Sequence, residues 1–399
     1  MVTCNGCGLE IGSVEWENEH NIRRTIVITL RANVAPDKGI DRYFVGRNDL
    51  INKILKNHIE IIKDLSIGSM IYLLGQYGSG KTTTLKMLRE KSCELDGSFV
   101  YSSVNIKEFS QLGDNLHLYR EIVKNITLPD GTRGISNFLN RVISLYKSKA
   151  QLHTELINRN IDNRVASLIL HYSDNNDLKR NVVIEWLSGN PEIRADDLHL
   201  IGKRGFQRIR DDEIDVYIAG LNDLSKMIGA RGLFITIDEA VDPKAQLKDY
   251  EIDAIWQNLK YYYNNLYSEP KFPGMVIAIG GTLDLWYGKK LIDKDQAFKQ
   301  RLNSAVKEEL TPLTFDDYIE LFQKLISIWD CVFQKDIQNR VTKGDFVKWT
   351  KIIESAGGGF KQITVRQALG ELPTPDISFL RKLDYLVDIP TELGENVFQ

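Results

Sequence analysis

Apolar and polar positions along this chain follow two rhythms. Short, nearly continuous apolar runs occur at Met70-Ile71-Tyr72-Leu73-Leu74, at Gly232-Leu233-Phe234-Ile235-Thr236-Ile237 and at Gly274-Met275-Val276-Ile277-Ala278-Ile279. Their length and β-branched content predict strands of a parallel sheet covered on both faces. A fourth run, 98–106, alternates in part and predicts another strand. Around these runs the apolar residues recur at three- and four-residue spacing. That rhythm predicts helices over 19–32, 48–65, 82–90, 116–126, 134–157, 162–171, 181–187 and 212–228. After the third strand, 295–306 reads as helical and 310–314 as extended. Further helices are predicted at 315–329, 343–355, 363–372 and 377–386, with Gly357-Gly358-Gly359 as a hinge-like break. Strands alternating with helices predict an α/β fold.

The first apolar strand runs straight into Gly75-Gln76-Tyr77-Gly78-Ser79-Gly80-Lys81-Thr82, followed by Thr83 and a helical pattern with Leu85 and Leu88. This fits G-x-x-x-x-G-K-[ST] at every fixed position, in the strand–loop–helix context that gives the pattern its chemistry. The glycines let backbone N–H groups turn inward toward phosphate oxygens, and the helix start adds its positive end. Lys81 is expected to reach the β- and γ-phosphates, and the Thr82 hydroxyl to ligate magnesium. The second apolar strand ends in Asp238-Glu239. Ligands of parallel sheets sit at the carboxyl ends of strands. Asp238 is therefore expected to hold magnesium, and Glu239 to polarise a water for attack on the γ-phosphate. The alternative is an exposed acidic pair closing an ordinary strand.

Three further positions extend the candidate site. Thr282 follows Gly280-Gly281 at the end of the third strand, where AAA+ ATPases carry a polar residue that senses the γ-phosphate; a capping Thr after a glycine turn is the other reading. Val45-Gly46-Arg47, one helix before the phosphate-loop strand, is similar to the segment of origin-recognition-type and STAND ATPases that lies over the adenine. Otherwise it is a loop before a helix. Arg301 is a candidate arginine finger supplied to a neighbouring subunit, or a surface arginine. Arg366, near the start of Thr364-Val365-Arg366-Gln367-Ala368-Leu369, matches the second sensor position of AAA+ proteins.

With 399 residues, 43% of them hydrophobic, the chain is long enough for a sizeable core. Its net charge of −3 excludes a global field drawing it to nucleic acid or acidic lipid. No apolar run reaches the length of a membrane span, and no signal-peptide core opens the chain. Four cysteines in a nucleotide-binding chain suggest a reducing cytoplasm without a disulfide framework. Cys4-Asn5-Gly6-Cys7-Gly8 is half of a zinc knuckle. Cys93 and Cys331 are remote in sequence and His20 is the only nearby histidine, so the expectation is a tail with two free thiols and little or no zinc. Completion by His20 and an acidic residue, or by a neighbouring chain, is the alternative.

The expected organisation is a cysteine-bearing tail over 1–18, a phosphate-loop core over 19–310, and a helical lid over 311–399. A helical insertion occupies roughly 107–230, far longer than a simple crossover needs. Within it, Gly202-Lys203-Arg204-Gly205-Phe206-Gln207-Arg208-Ile209-Arg210 is basic enough to touch a phosphate backbone. Asp211, Asp212 and Glu213 offset that charge at once and favour a solvated loop.

Taken together, these residues resemble the ATP-binding proteins of BREX-type phage-defence systems, a P-loop family once known only as a domain of unknown function. The likeness covers roughly residues 20–370. It rests on Arg31-Ala32-Asn33, Val45-Gly46-Arg47, Gly78-Ser79-Gly80-Lys81-Thr82, Trp186-Leu187-Ser188-Gly189, Asp238-Glu239, Gly281-Thr282-Leu283-Asp284, Gln300-Arg301-Leu302 and Ile363-Thr364-Val365-Arg366. The phosphate loop and acidic pair are shared by many ATPases; the Trp-Leu-x-Gly and Gly-Thr-x-Asp segments discriminate. The resemblance implies an AAA+-like three-layer P-loop NTPase core and magnesium-dependent ATP hydrolysis. It also implies a homo-oligomer in a defence complex directed at foreign DNA, beside methyltransferase or helicase proteins. A STAND-like switch that binds nucleotide, turns over slowly and regulates a partner is the competing reading.

Overall fold

The computed structural model describes residues 2–32, 34–63, 67–76, 78–95, 97–106, 109–190, 192–202, 209–239, 248–281, 306–335 and 337. Its helices are α1 (Val14–Arg31), α2 (Asn48–Ile54), α3 (Lys81–Ser92), α4 (Asn115–Lys124), α5 (Ile135–Ile143) and α6 (Lys149–Asn158). They continue with α7 (Asn163–Tyr172), α8 (Asp177–Leu187), α9 (Ala195–Leu198), α10 (Ile214–Met227), α11 (Asp249–Tyr263) and α12 (Phe315–Phe333). The strands are β1 (Ser69–Leu74), β2 (Val100–Ile106), β3 (Ile126–Thr127), β4 (Leu233–Glu239), β5 (Val276–Gly281) and β6 (Val306–Glu309). Two compact units emerge, and the chain passes between them after Asn52, Leu74, Glu90 and Glu309.

The first unit gathers the N-terminal segment, the glycine-rich loop with most of α3, and the chain from Leu310 onward. Helix α1 begins at Val14, five residues earlier than the apolar spacing predicts. The Ser13 hydroxyl accepts from the Trp16 amide at 3.1 Å, and Glu15 and Glu17 sit in the positive first turn. Residues ahead of it are not a loose tail: Thr3 bridges Glu10, and the Ile11 amide donates to the Val2 carbonyl. The loop between α1 and α2 is tied to α3, whose Glu90 carboxylate accepts from the amides of Gly39 and Ile40 at 3.2 and 3.1 Å. Helix α12 opens with a reciprocal cap: the Thr314 hydroxyl accepts from the Asp317 amide, and the Asp317 carboxylate accepts from that of Thr314.

The second unit holds a six-stranded sheet in the order β3-β2-β4-β5-β1-β6, parallel except for β3. Every residue of β1 and β5 is buried, as continuous apolar runs require. Register carries one face across the sheet: Val100 pairs with Leu233, Ile235 with Ile277, and Ile277 with Met70. That face shares a single core with the helices between β2 and β4, through Tyr119, Phe138, Ile169, Trp186 and Tyr217. The long segment between β2 and β4 is therefore packed onto the sheet rather than appended to it. The Trp186 and Tyr217 rings meet at a tilt, their centroids 4.9 Å apart, the Tyr119 hydroxyl donates to the Leu187 carbonyl, and Arg120 donates to the Gly189 carbonyl. The Trp-Leu-x-Gly segment thus ends α8 and ties it to α4. Asn222, wholly buried in α10, donates to the Pro273 carbonyl and accepts from the Leu233 amide, fixing where β4 starts.

Three local expectations change. The helix predicted over 134–157 is two, because Ser148 is extended and caps α6 through the Gln151 amide. Helix α11, with Ile255, Leu259 and Tyr262 buried, fills a gap where no helix was expected. Residues 306–309, placed at the end of a predicted helix and just short of the extended 310–314, form the edge strand β6 on β1. The C-terminal helices predicted over 343–355, 363–372 and 377–386 lie outside the described residues, as does the basic stretch 203–208. No described helix is long and apolar enough to cross a membrane.

Candidate functional site

Strand β1 ends at Leu74 and delivers the chain into the glycine-rich loop. The Ser79 amide donates to the Gln76 carbonyl at 3.1 Å, closing a tight turn, and the Thr84 amide donates to the Gly80 carbonyl at 2.9 Å as α3 begins. Gly80 has φ +90°, and a Cβ there would stand 2.9 Å from an Arg47 guanidinium nitrogen. Both the left-handed backbone and the close approach require glycine. Lys81 is only 8% exposed, and its ammonium donates to the carbonyls of Gly75 and Gln76 at 2.9 and 3.0 Å. The cation is thereby held inside the curl of its own loop. The opening amides of a helix have no acceptor within it, so the start of α3 presents donors and a positive dipole end beside that ammonium. The arrangement is chemically suited to an oxyanion of high charge, such as a polyphosphate.

Arg47 adds a second buried cation to the same unit. Its guanidinium donates to the Thr311 carbonyl at 3.0 Å, while its buried Nε has no partner among the described residues. Burial draws its pKa down to about 10, against the opposing pull of Tyr318 and Asp317. Val45 is buried and Gly46 abuts the Asp317 carboxylate. The Val-Gly-Arg box therefore stands against the phosphate loop, with its arginine at Gly80. Sequence reasoning gave no sign of Thr311, Asp317 and Tyr318 as its neighbours, since they lie more than 260 residues away.

In the second unit, the carboxyl ends of four parallel strands are in register. Leu74 pairs with Gly281, Gly280 with Asp238, and Asp238 with Asn105. Strand β5 lies between β1 and β4, beside the Asp-Glu strand. Asp238 is partly exposed at this edge, and Thr236 two residues before it donates to the Ser103 hydroxyl at 3.0 Å. Glu239 is the last residue of β4. Thr82 lies in the first turn of α3, followed by Thr83. Tyr77, Thr282, Arg301 and Arg366 lie outside the described residues.

The cysteines depart from the sequence reading. Cys331, remote in sequence and expected to be unpaired, lies with Cys4 and Cys7 in one cluster, their sulfurs within 4.8 Å of one another. Among the described residues no histidine or carboxylate joins this group, so His20 does not complete it in the way considered above. The signal missed was the pairing of the N-terminal turn with α12, which no local spacing reveals.

No curated protein matches this chain significantly. A family model described as BREX system ATP-binding protein BrxC/D matches residues 19–171 and, in a second segment, 161–385. The two segments span the phosphate loop, the Asp-Glu strand, the Trp-Leu-x-Gly segment and the Val-Gly-Arg box, and together take in most of the chain. On that match, this chain belongs to the BREX system ATP-binding protein BrxC/D family.

Proposed function

We propose that the chain is a magnesium-dependent ATPase of AAA+ type that drives or regulates a DNA-directed phage-defence complex. The observation that carries this reading is the buried Lys81 ammonium held within a tight glycine loop at the start of α3, with the Arg47 guanidinium at Gly80. Two buried cations beside a helix N-terminus suit the β- and γ-phosphates of a nucleotide.

In this reading Gly75, Gln76, Tyr77, Gly78, Ser79 and Gly80 wrap the phosphates with backbone donors, and Lys81 neutralises the β/γ oxygens. Thr82 and Asp238 are the oxygen donors for Mg2+, which supplies charge neutralisation across the phosphates when bound. Thr83 and Val45-Gly46-Arg47 complete the nucleotide contacts. Glu239 accepts a proton from the attacking water, the reaction breaking the bond between the γ-phosphorus and the bridging oxygen. Thr282 and Arg366 sense the γ-phosphate from the residues that follow β5 and from the C-terminal lid. Arg301 acts as a finger toward a neighbouring copy in a homo-oligomer. Other defence-system proteins, a methyltransferase or a helicase, are the expected partners, in the cytoplasm.

Titration calorimetry of the full chain with ATP and Mg2+ tests the binding step. Lys81→Ala is expected to weaken ATP binding on the order of 100-fold, the scale of losing one partner of a buried charge pair. Unchanged affinity would remove Lys81 from the site.

A further inference from the structure

The N-terminal turn and α12 form a constructed cluster of thiols that the nucleotide site does not use. Backbone bonds close the turn: the Cys4 amide donates to the Leu9 carbonyl at 2.9 Å and the Gly8 amide to the Cys4 carbonyl at 2.8 Å. A Cβ on Gly6 would stand 2.2 Å from the Ser327 carbonyl oxygen and 2.4 Å from the Cys331 nitrogen. Only glycine lets this turn lie so close against α12. Arg23, on α1, clamps the contact by donating to the carbonyls of Gly6 and Ser327 at 3.0 and 3.1 Å and to the Ser327 hydroxyl at 3.0 Å. Cys331 is one helical turn beyond Ser327, so the clamp delivers its thiol to Cys4 and Cys7.

The sulfurs have the spacing of ligands around one ion. Cys7 and Cys331 are 3.6 Å apart at Sγ, and all three sulfurs lie within 4.8 Å. Zinc–sulfur bonds of about 2.3 Å in a tetrahedron put ligand sulfurs about 3.8 Å apart. Cys4 and Cys331 are fully buried while Cys7 is partly exposed, so the cluster opens to solvent on the Cys7 side. The Gln334 amide donates toward the Cys4 sulfur at 3.7 Å, the kind of outer contact that orients a thiolate ligand.

We infer that Cys4, Cys7 and Cys331 bind one Zn2+ through three thiolates, with water in the fourth position. The ion joins the N-terminal turn to α12 across a separation of 324 residues. Helix α12 also donates from Lys324 to the Phe44 carbonyl at 2.7 Å and lines the Val-Gly-Arg box through Asp317, so the ion braces the element that shapes Arg47's surroundings. Binding exchanges three thiol protons for one divalent cation, and no oxidant or reductant takes part.

Full-length protein purified without chelator or added zinc should carry about one zinc per chain by elemental analysis, as three converging thiolates hold the ion through purification. Cys331→Ser and Cys4→Ser should each lower that to below about one fifth of a zinc, whereas Cys93→Ser should leave it unchanged. Should a serine variant fail to fold, cobalt exchange into the wild-type chain gives the answer, through thiolate-to-cobalt charge-transfer absorption. Folded wild-type protein that carries no metal, shows no such absorption after cobalt addition and offers three thiols to alkylation would overturn the assignment. So would a Cys7–Cys331 disulfide found by mass spectrometry.

Discussion

The first unit contains two glycine-bearing turns that, in the readings proposed above, meet opposite charges by opposite means. The loop 75–82 presents backbone amides and one lysine to an anion, and its competence resides in the path of the main chain. The turn 4–8 presents thiols to a cation, and its competence resides in three side chains, one of them on α12. An anion site made of amides comes with any chain that folds in the right curl, so eight contiguous residues suffice. A cation site made of thiolates needs particular residues converging from separate segments, so the fold must assemble it. The two turns should therefore respond to different injuries.

The largest separation is expected from a crossed experiment. Lys81→Ala should cost ATP affinity on the order of 100-fold and leave the zinc content at the wild-type value. Cys331→Ser should do the reverse: zinc is lost, the melting temperature falls by roughly 5 °C or more, and ATP affinity stays within about threefold. Calorimetry and elemental analysis on the same preparations give both readings. Loss of zinc in the Lys81 variant would show that the two turns do not act independently.

A smaller effect is expected at Arg47, where the two turns share a neighbour in α12. Arg47→Lys keeps the charge but not the fork that donates to Thr311 and faces Gly80. ATP affinity should fall about tenfold, with zinc unchanged, because a lysine lacks the planar fork suited to phosphate oxygens. Wild-type affinity in this variant would limit Arg47 to packing.

The smallest expected effect on binding comes from Arg301→Ala, which should leave ATP affinity nearly intact and lower turnover, since a finger acts on charge that develops in the transition state. Mixing this variant with Lys81→Ala protein should restore part of the activity, one chain supplying the sound loop and the other the sound arginine. Absence of restoration, together with specific activity independent of protein concentration, would contradict the oligomeric site.

The elements that sequence makes legible share one property: their signals are contiguous. The three apolar strands, the glycine loop and the Asp-Glu ending are each complete within ten residues, and the observed strands match them to within two residues at each end. The pattern across the sheet also follows, because continuous apolar runs suit strands buried on both faces. What escapes is convergence. Helix α11 is the exception, since Ile255, Leu259 and Tyr262 recur at helical spacing and its signal is contiguous. The early start of α1 rests on one hydroxyl cap, and the division of 134–157 on another. Arg47 meets Thr311 and Cys7 meets Cys331 across separations of 264 and 324 residues, which periodicity cannot report. The role of Trp186-Leu187-Ser188-Gly189 belongs with these: its contacts with Tyr217, Tyr119 and Arg120 exist only once α4, α8 and α10 have packed.

The central claim is that this chain hydrolyses ATP, with Glu239 accepting the proton of the attacking water. Steady-state phosphate release from Mg-ATP, measured alongside nucleotide binding for wild-type and Glu239→Gln protein, tests it most directly. The account predicts measurable turnover in the wild type, and in the variant retained ATP binding with phosphate release reduced on the order of 100-fold or more, the scale of losing a positioned base. Phosphate release by Glu239→Gln at the wild-type rate would contradict the assignment of the base. Binding without turnover in the wild-type chain would instead make the protein a nucleotide switch.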